Sequence, residues 1–223
     1  HINIAINKEY IEIQKYAFRK YKIKTVENKH THLVPEELEQ LERLSLTGKH
    51  MKLQKSLDAF LFCCYAGMRY SDFTNLSKKN IVDINQETWL IYKSVKTGTE
   101  VRLPLYLLFA GKGIVILNKY RNNLEVFFRL RDNSNINKDL IIIAKLAGLS
   151  KKISFHTARH TNATLLIYNG VNITTVQKLL GHKSVKTTQV YTNIMDMTIV
   201  HDLEKMKQAA LGIKKKTDNS FNK

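Results

Sequence analysis

Tyr191, the arginines Arg69 and Arg159, and the histidines His156 and His182 are the side chains whose types and order could do chemistry together. Arg159 precedes Tyr191 by 32 residues and His182 precedes it by nine. A phenol hydroxyl can attack a phosphodiester, hold the phosphate as an ester and release it again, so the broken bond's energy is stored and no ATP is required. Negative charge builds on the non-bridging oxygens in the transition state, and two guanidinium forks can hold them bidentately without a metal. With an ordinary pKa of ~10, tyrosine is a poor nucleophile at neutral pH unless a base takes its proton or cations stabilise the phenolate. His156 fits as proton acceptor or carrier, and His182 as a hydrogen-bond donor to a non-bridging oxygen. The departing oxygen needs a proton, which a lysine among arginines can supply.

Each residue also has an ordinary structural reading. Arg69 could pair with Asp72 three residues on, His156 could open a helix, His182 could cap one, and Tyr191 could be a half-buried helix aromatic. His160 and Thr161 read as packing or hydrogen-bonding beneath the second arginine, and Trp89 as a core residue of a sheet face. The combination argues for chemistry, because the later residues fall in a segment without acids. Leu140 to Met195 is 56 residues long and holds no Asp or Glu, against seven Lys or Arg and three His.

The blocks His156-Thr157-Ala158-Arg159-His160, Leu179-Leu180-Gly181-His182 and Tyr191, with Ala66-Gly67-Met68-Arg69-Tyr70-Ser71-Asp72 upstream, resemble the signature of the tyrosine recombinase/integrase family. That family includes phage lambda integrase and the bacterial Xer proteins, and the resemblance covers roughly residues 30–212. It implies the recombinase catalytic fold and metal-independent, site-specific DNA recombination through a 3′-phosphotyrosyl intermediate. It also implies double-stranded DNA as partner, four protomers assembled on it, room for an accessory DNA-bending protein, and no cofactor. By resemblance to the family's β-hairpin lysine, Lys96 of Val95-Lys96-Thr97-Gly98 is the proton donor, with Lys93 its nearest competitor. The role of His182 is one in which the family tolerates other donors. Richness in lysine, asparagine and isoleucine suggests an AT-rich genome and favours a bacterial mobile-element integrase. Strand relaxation in the manner of a type IB topoisomerase and a non-catalytic DNA-binding module are the alternatives. A metal-dependent nuclease is disfavoured because no carboxylate cluster accompanies the histidines.

Composition agrees with a polyanionic partner. The 223 residues carry 36 Lys and Arg against 19 Asp and Glu, a formal charge of +17, which attracts nucleic acid. The 43% hydrophobic content suffices for one sizeable core. Cys63 and Cys64 are adjacent and, roughly 100° apart on a helix, cannot easily bridge; they read as core thiols in a reducing compartment. The longest apolar stretches, Ala59 to Gly67 and Leu140 to Gly148, fall short of the ~20 residues a membrane span needs. A cytoplasmic, nucleoid-associated location is the expectation.

The elements that must position these side chains read as mainly α with a small three-stranded antiparallel β-sheet. Residues 1–28 read as the end of an amino-terminal DNA-binding domain and its linker, with helical spacing from Tyr10 to Tyr21. Residues 29–213 read as the catalytic domain and 214–223 as a basic flexible tail. A helix opens at Pro35, burying Leu38, Leu41 and Leu44, and a second runs from about Met51 to a stop at Gly67. Ile81 to Ile84, Thr88 to Tyr92 and Glu100 to Leu103 are β-branched or aromatic runs that predict a meander, with Lys96 at its second turn. Helical spacing follows near 114–122, 135–147, 156–169, 172–180 and 184–193. A last stripe of Met195, Ile199, Leu203, Met206 and Ala210 predicts a helix to Leu211; in this family such a helix is often exchanged between neighbours, and exchange or packing within its own domain both remain open.

Overall fold

The computed structural model describes residues 2–15, 30–191 and 207. Pro35 supplies a first-turn backbone angle and lacks only an amide that would have had no partner. Helix α2 (Pro35–Glu42) starts there, with Glu37 Oε2 accepting from the Val34 amide at 2.9 Å. Its buried face is Leu38 and Leu41, and Leu44 packs at the edge of the core. Ahead of it, α1 (Ile2–Asn7) is followed by a bend at Tyr10 and a 3-10 turn at Ile13–Lys15, where the spacing predicts a continuous helix from Tyr10. The rest of that predicted helix and linker, the helix predicted from Met195 and the basic tail lie outside the described residues, Lys207 excepted.

The centre of the fold is α3 (Gln54–Ala66), preceded by a 3-10 turn at Gly48–Leu53. Every residue from Ser56 to Ala66 is buried, as a helix apolar on all sides must be. Its two buried polar side chains are satisfied: Ser56 donates to Asp139, while Asp58 accepts from the Tyr120 hydroxyl at 2.8 Å and pairs with Lys119 at 3.1 Å. Cys63 and Cys64 are buried free thiols. Gly67 ends the helix at φ +67°, the left-handed stop that the sequence predicts. Helix α4 (Tyr70–Thr74) follows, and its Phe73 sits among Phe62, Phe127, Phe128 and Phe155 at centroid distances of 5.3–6.1 Å. Arg69, at the start of α4, is thus rooted in an aromatic cluster.

Strands β1 (Ile81–Ile84), β2 (Glu87–Lys93) and β3 (Glu100–Pro104) form the antiparallel meander in chain order. Asn85 and Gln86, at φ 53° and 65°, supply the pair of left-handed residues that a two-residue hairpin turn requires. Leu90 opposes Ile81 on one side and Leu103 on the other, and Leu90, Tyr92, Val101 and Leu103 form the buried face. Trp89 is not a core residue, contrary to its sequence reading. Alternation puts it on the opposite face, half-buried and edge-on to Tyr106.

Helices α5 (Lys112–Lys119) and α7 (Asn133–Leu146) lie near their predicted places, and a short α6 (Leu124–Phe128) between them was not predicted. Helix α8 (Phe155–Tyr168) packs along α3 and is buried from Phe155 to Leu166 except at His156. Helices α9 (Ile173–Leu180) and α10 (Lys186–Gln189) complete the described fold. No helix among the described residues is long and apolar enough to cross a membrane.

Candidate active site

Arg159 is 1% exposed, and no salt bridge to a carboxylate is found for it among the described residues. Its guanidinium donates from Nη1 to the Gly67 carbonyl at 2.8 Å and from Nη2 to the Leu180 carbonyl at 2.7 Å. These carbonyls end α3 and α9, where helix dipoles concentrate negative potential, so the buried cation rests on two helix C-termini. Burial, then the neighbouring charge of Arg69, pushes Arg159 down to about 10, which leaves it charged at neutral pH. Its remaining N–H groups are unspent on these two anchors. Among the described residues, no group of three or more His, Cys, Asp or Glu side chains is arranged to hold a metal ion.

Arg69 is held from the other side. Its Nη1 lies 3.6 Å from Asp72 Oδ2 and donates to Ser94 Oγ at 3.3 Å. The fully buried Asp72 carboxylate also accepts from Ser94 Oγ and, at 2.8 Å, from the Val95 amide. One carboxylate therefore fixes both the first arginine and the root of the turn that carries Lys96. At the far side of that turn Thr97 Oγ1 donates to the Gly181 carbonyl at 3.1 Å, joining the hairpin to the corner before His182. Lys96 itself is exposed, and its charge reaches His156.

His182 is 8% exposed, with Nδ1 2.9 Å from Thr188 Oγ1 and its carbonyl accepting from Gln177 Nε2. Burial, followed by Arg159 and Arg69, pushes it down to about 4, so it is neutral at pH 7. His156, like Lys96, is exposed. Partial burial, Arg159, Arg69, His30 and Lys96 lower its pKa in that order. Tyr191 is 4% exposed. Burial raises its pKa, and Arg159 and Arg69 pull the other way without reversing the shift.

Of the six residues singled out in the sequence, Arg69 and Arg159 lie within electrostatic reach of His156, His182 and Tyr191, and Lys96 within reach of His156. Tyr191 hydrogen-bonds not to His156 but to His160, whose Nδ1 is 3.1 Å from the phenol oxygen. Neither His160 nor Thr161 hydrogen-bonds to Arg159 among the described residues. Thr161 instead donates to the Thr157 carbonyl and accepts from the Leu33 amide at 3.0 Å. Sequence reasoning also missed Ser94, Thr97 and Thr188. The signal for His160 was its position four residues after His156, on the same helical face; the three hydroxyls gave none.

The phage integrase family matches residues 31–197. Among curated proteins, the chain is 29% identical over 185 residues to tyrosine recombinase XerC of Rickettsia prowazekii, covering 78% of this chain and 58% of that protein. Among solved structures, it is similar to a lambda integrase tetramer bound to a Holliday junction, with TM-score 0.65, 19% identity, and coverage of 85% of this chain and 55% of that one. The Tn1549 transposon integrase in complex with a circular intermediate DNA gives TM-score 0.65 at 16% identity, covering 92% of this chain and 75% of that one. These likenesses establish the mainly helical fold with its three-stranded sheet, and the chain spans less than two thirds of the length of the XerC relative. With the family matched over most of its residues, the chain belongs to the phage integrase family.

Proposed function

We propose that this chain is the DNA-cutting and DNA-joining unit of a tyrosine site-specific recombinase, with residues 29–213 as the catalytic domain. The observation that carries the reading is a buried tyrosine whose hydroxyl shares one electrostatic site with two arginines anchored from opposite sides. Arg69 and Arg159 bind the non-bridging oxygens of a DNA phosphate and stabilise the charge that develops there. His182, with Nδ1 engaged by Thr188, turns Nε2 to the same oxygens. His156, which is exposed, carries protons between the site and solvent. Tyr191 attacks phosphorus and becomes esterified to the 3′ phosphate, and Lys96 gives the 5′ oxygen its proton. Double-stranded DNA is the substrate, and assembly on it as a tetramer follows the arrangement named for the lambda integrase structure. Mobile-element integration and excision is the favoured role; it rests on the residue bias of the sequence and on the likeness to a transposon integrase.

The test is a suicide duplex nicked next to the cut, incubated with the complete protein in the presence of EDTA. A covalent adduct through Tyr191 is expected, and Tyr191→Phe should bind DNA but form none. An adduct that persists in Tyr191→Phe overturns the assignment.

Lys96 makes a separate prediction. Replacing the bridging 5′ oxygen by sulfur gives a leaving group that needs no proton, so Lys96→Ala should cleave the sulfur substrate at near wild-type rate. On the oxygen substrate it should lose about 10²-fold or more. Equal impairment on both substrates would make Lys96 a structural lysine.

A further inference from the structure

His160 is buried beside Tyr191 and is enclosed by other rings. His30 stacks on it at 4.4 Å with planes 22° apart, and His156 meets it edge-on at the same 4.4 Å. The Leu33 amide, bonded to Thr161 Oγ1, ties the segment carrying His30 to α8. Among the described residues, the titratable and charged groups that face the ring are His156 and Arg159 from its own helix, His30 and His32 from the segment before α2, and Tyr191 from the turn after α10. No carboxylate is among them. Burial comes first, and then His156, His30, Arg159 and His32, in pushing His160 down to about 3. It is therefore a neutral imidazole at pH 7, able to accept a hydrogen bond or a proton at Nδ1 when its own proton is on Nε2.

We propose that His160 is a catalytic residue of this site, receiving the Tyr191 proton on Nδ1 as the phenol oxygen attacks phosphorus. The proposal rests on the recombinase reading above. The bond from Tyr191 Oη to phosphorus forms while the bond from phosphorus to the 5′ oxygen breaks. The electron pair of the phenolic O–H bond stays on Oη, its proton goes to His160, and the 5′ oxygen leaves with the Lys96 proton. Rejoining reverses each transfer. The low proton affinity of His160 reflects its burial and the His and Arg groups that act on it; a DNA phosphate brings the negative charge that raises it. The imidazolium then lies beside a developing dianion, where its charge is favourable. His156, edge-on to His160 and exposed, passes the proton outward.

The experiment measures single-turnover adduct formation on the nicked suicide duplex with the complete protein. Wild type, His160→Ala and His160→Asn are compared, each with Tyr191 and with a trifluorotyrosine of lower pKa at position 191. The asparagine variant keeps a polar group of similar reach if the alanine variant fails to fold. With Tyr191, the His160 variants are expected to form adduct about 100-fold more slowly while binding DNA as wild type does. Trifluorotyrosine, which needs less help to lose its proton, should recover at least tenfold of that loss. A deficit unchanged by fluorination would reduce His160 to packing, and a rate within threefold of wild type, or above it, would overturn the proposal. Absence of any Tyr191 adduct in wild type would instead sink the recombinase reading itself.

Discussion

Replacing Arg159 by Lys is expected to slow adduct formation by about 10²-fold to 10³-fold, the usual effect of losing a donor aimed at transition-state charge, and to destabilise the fold by about 2–4 kcal/mol. Charge is conserved in this substitution, so the loss isolates geometry. The guanidinium reaches the Gly67 and Leu180 carbonyls with two different nitrogens and still has N–H groups for phosphate. A lysine ammonium is a point donor on a flexible stem and cannot span both carbonyls while also forking onto an anion. At least one buried helix-end carbonyl loses its partner. Urea unfolding and single-turnover cleavage would measure the two effects. A variant within tenfold of wild-type rate and within 0.5 kcal/mol of its stability, roughly the size of a neutral surface change, would contradict this account of the site.

The second large effect is on stability alone. Gly67→Ala should destabilise by about 3–5 kcal/mol, because a left-handed residue with a Cβ costs about 1–2 kcal/mol before any contact and a displaced hydrogen-bond network adds the rest. An added Cβ at Gly67, φ +67°, would lie 2.6 Å from Asn162 Oδ1 and 2.8 Å from Leu180 Cδ2. Asn162 cannot move freely, since its Nδ2 satisfies the Cys64 and Tyr65 carbonyls at 2.9 and 3.0 Å. Gly48 is the internal control: it also has positive φ, but a Cβ there meets nothing within 4 Å. Gly48→Ala should cost only about 1 kcal/mol. Equal destabilisation of the two variants in chemical denaturation would show that backbone conformation, not the close approach of α8 and α9, dictates Gly67.

The sheet was legible in sequence because its strands alternate and its turns are polar, so the predicted strand limits fall within a residue of those observed. The end of α3 was legible for a similar reason: one glycine names the stop. Helix α6 was not, because five residues are too few to display a helical period. The left-handed conformations of Phe109 and Ala110 were not either, since neither residue type signals positive φ. Trp89 was misplaced because β-propensity identifies a strand without saying which of its faces is buried. Residue type and spacing also singled out Arg69, Arg159 and Tyr191, which the fold brings within electrostatic reach of one another. The contacts that hold them are backbone carbonyls and small hydroxyls from distant segments, as with Leu180, Ser94 and Thr188. Such partners are set by tertiary approach and leave no mark on the local pattern. Tyr191 meeting His160 rather than His156 is of the same kind, decided by how the chain returns after α10.

The anchoring of Arg159 on two helix ends has a consequence for how this site would decay. Suppose a copy of the gene is released from any requirement to cut DNA but is still required to fold. Lys96 and His156, exposed at the surface, would then be free to drift, whereas Arg159 would persist because α3 and α9 close upon it. Retention of this arginine in a divergent descendant would therefore testify to an intact core and say little about activity. The exposed lysine, which the fold does not need, would be the better witness to a working enzyme.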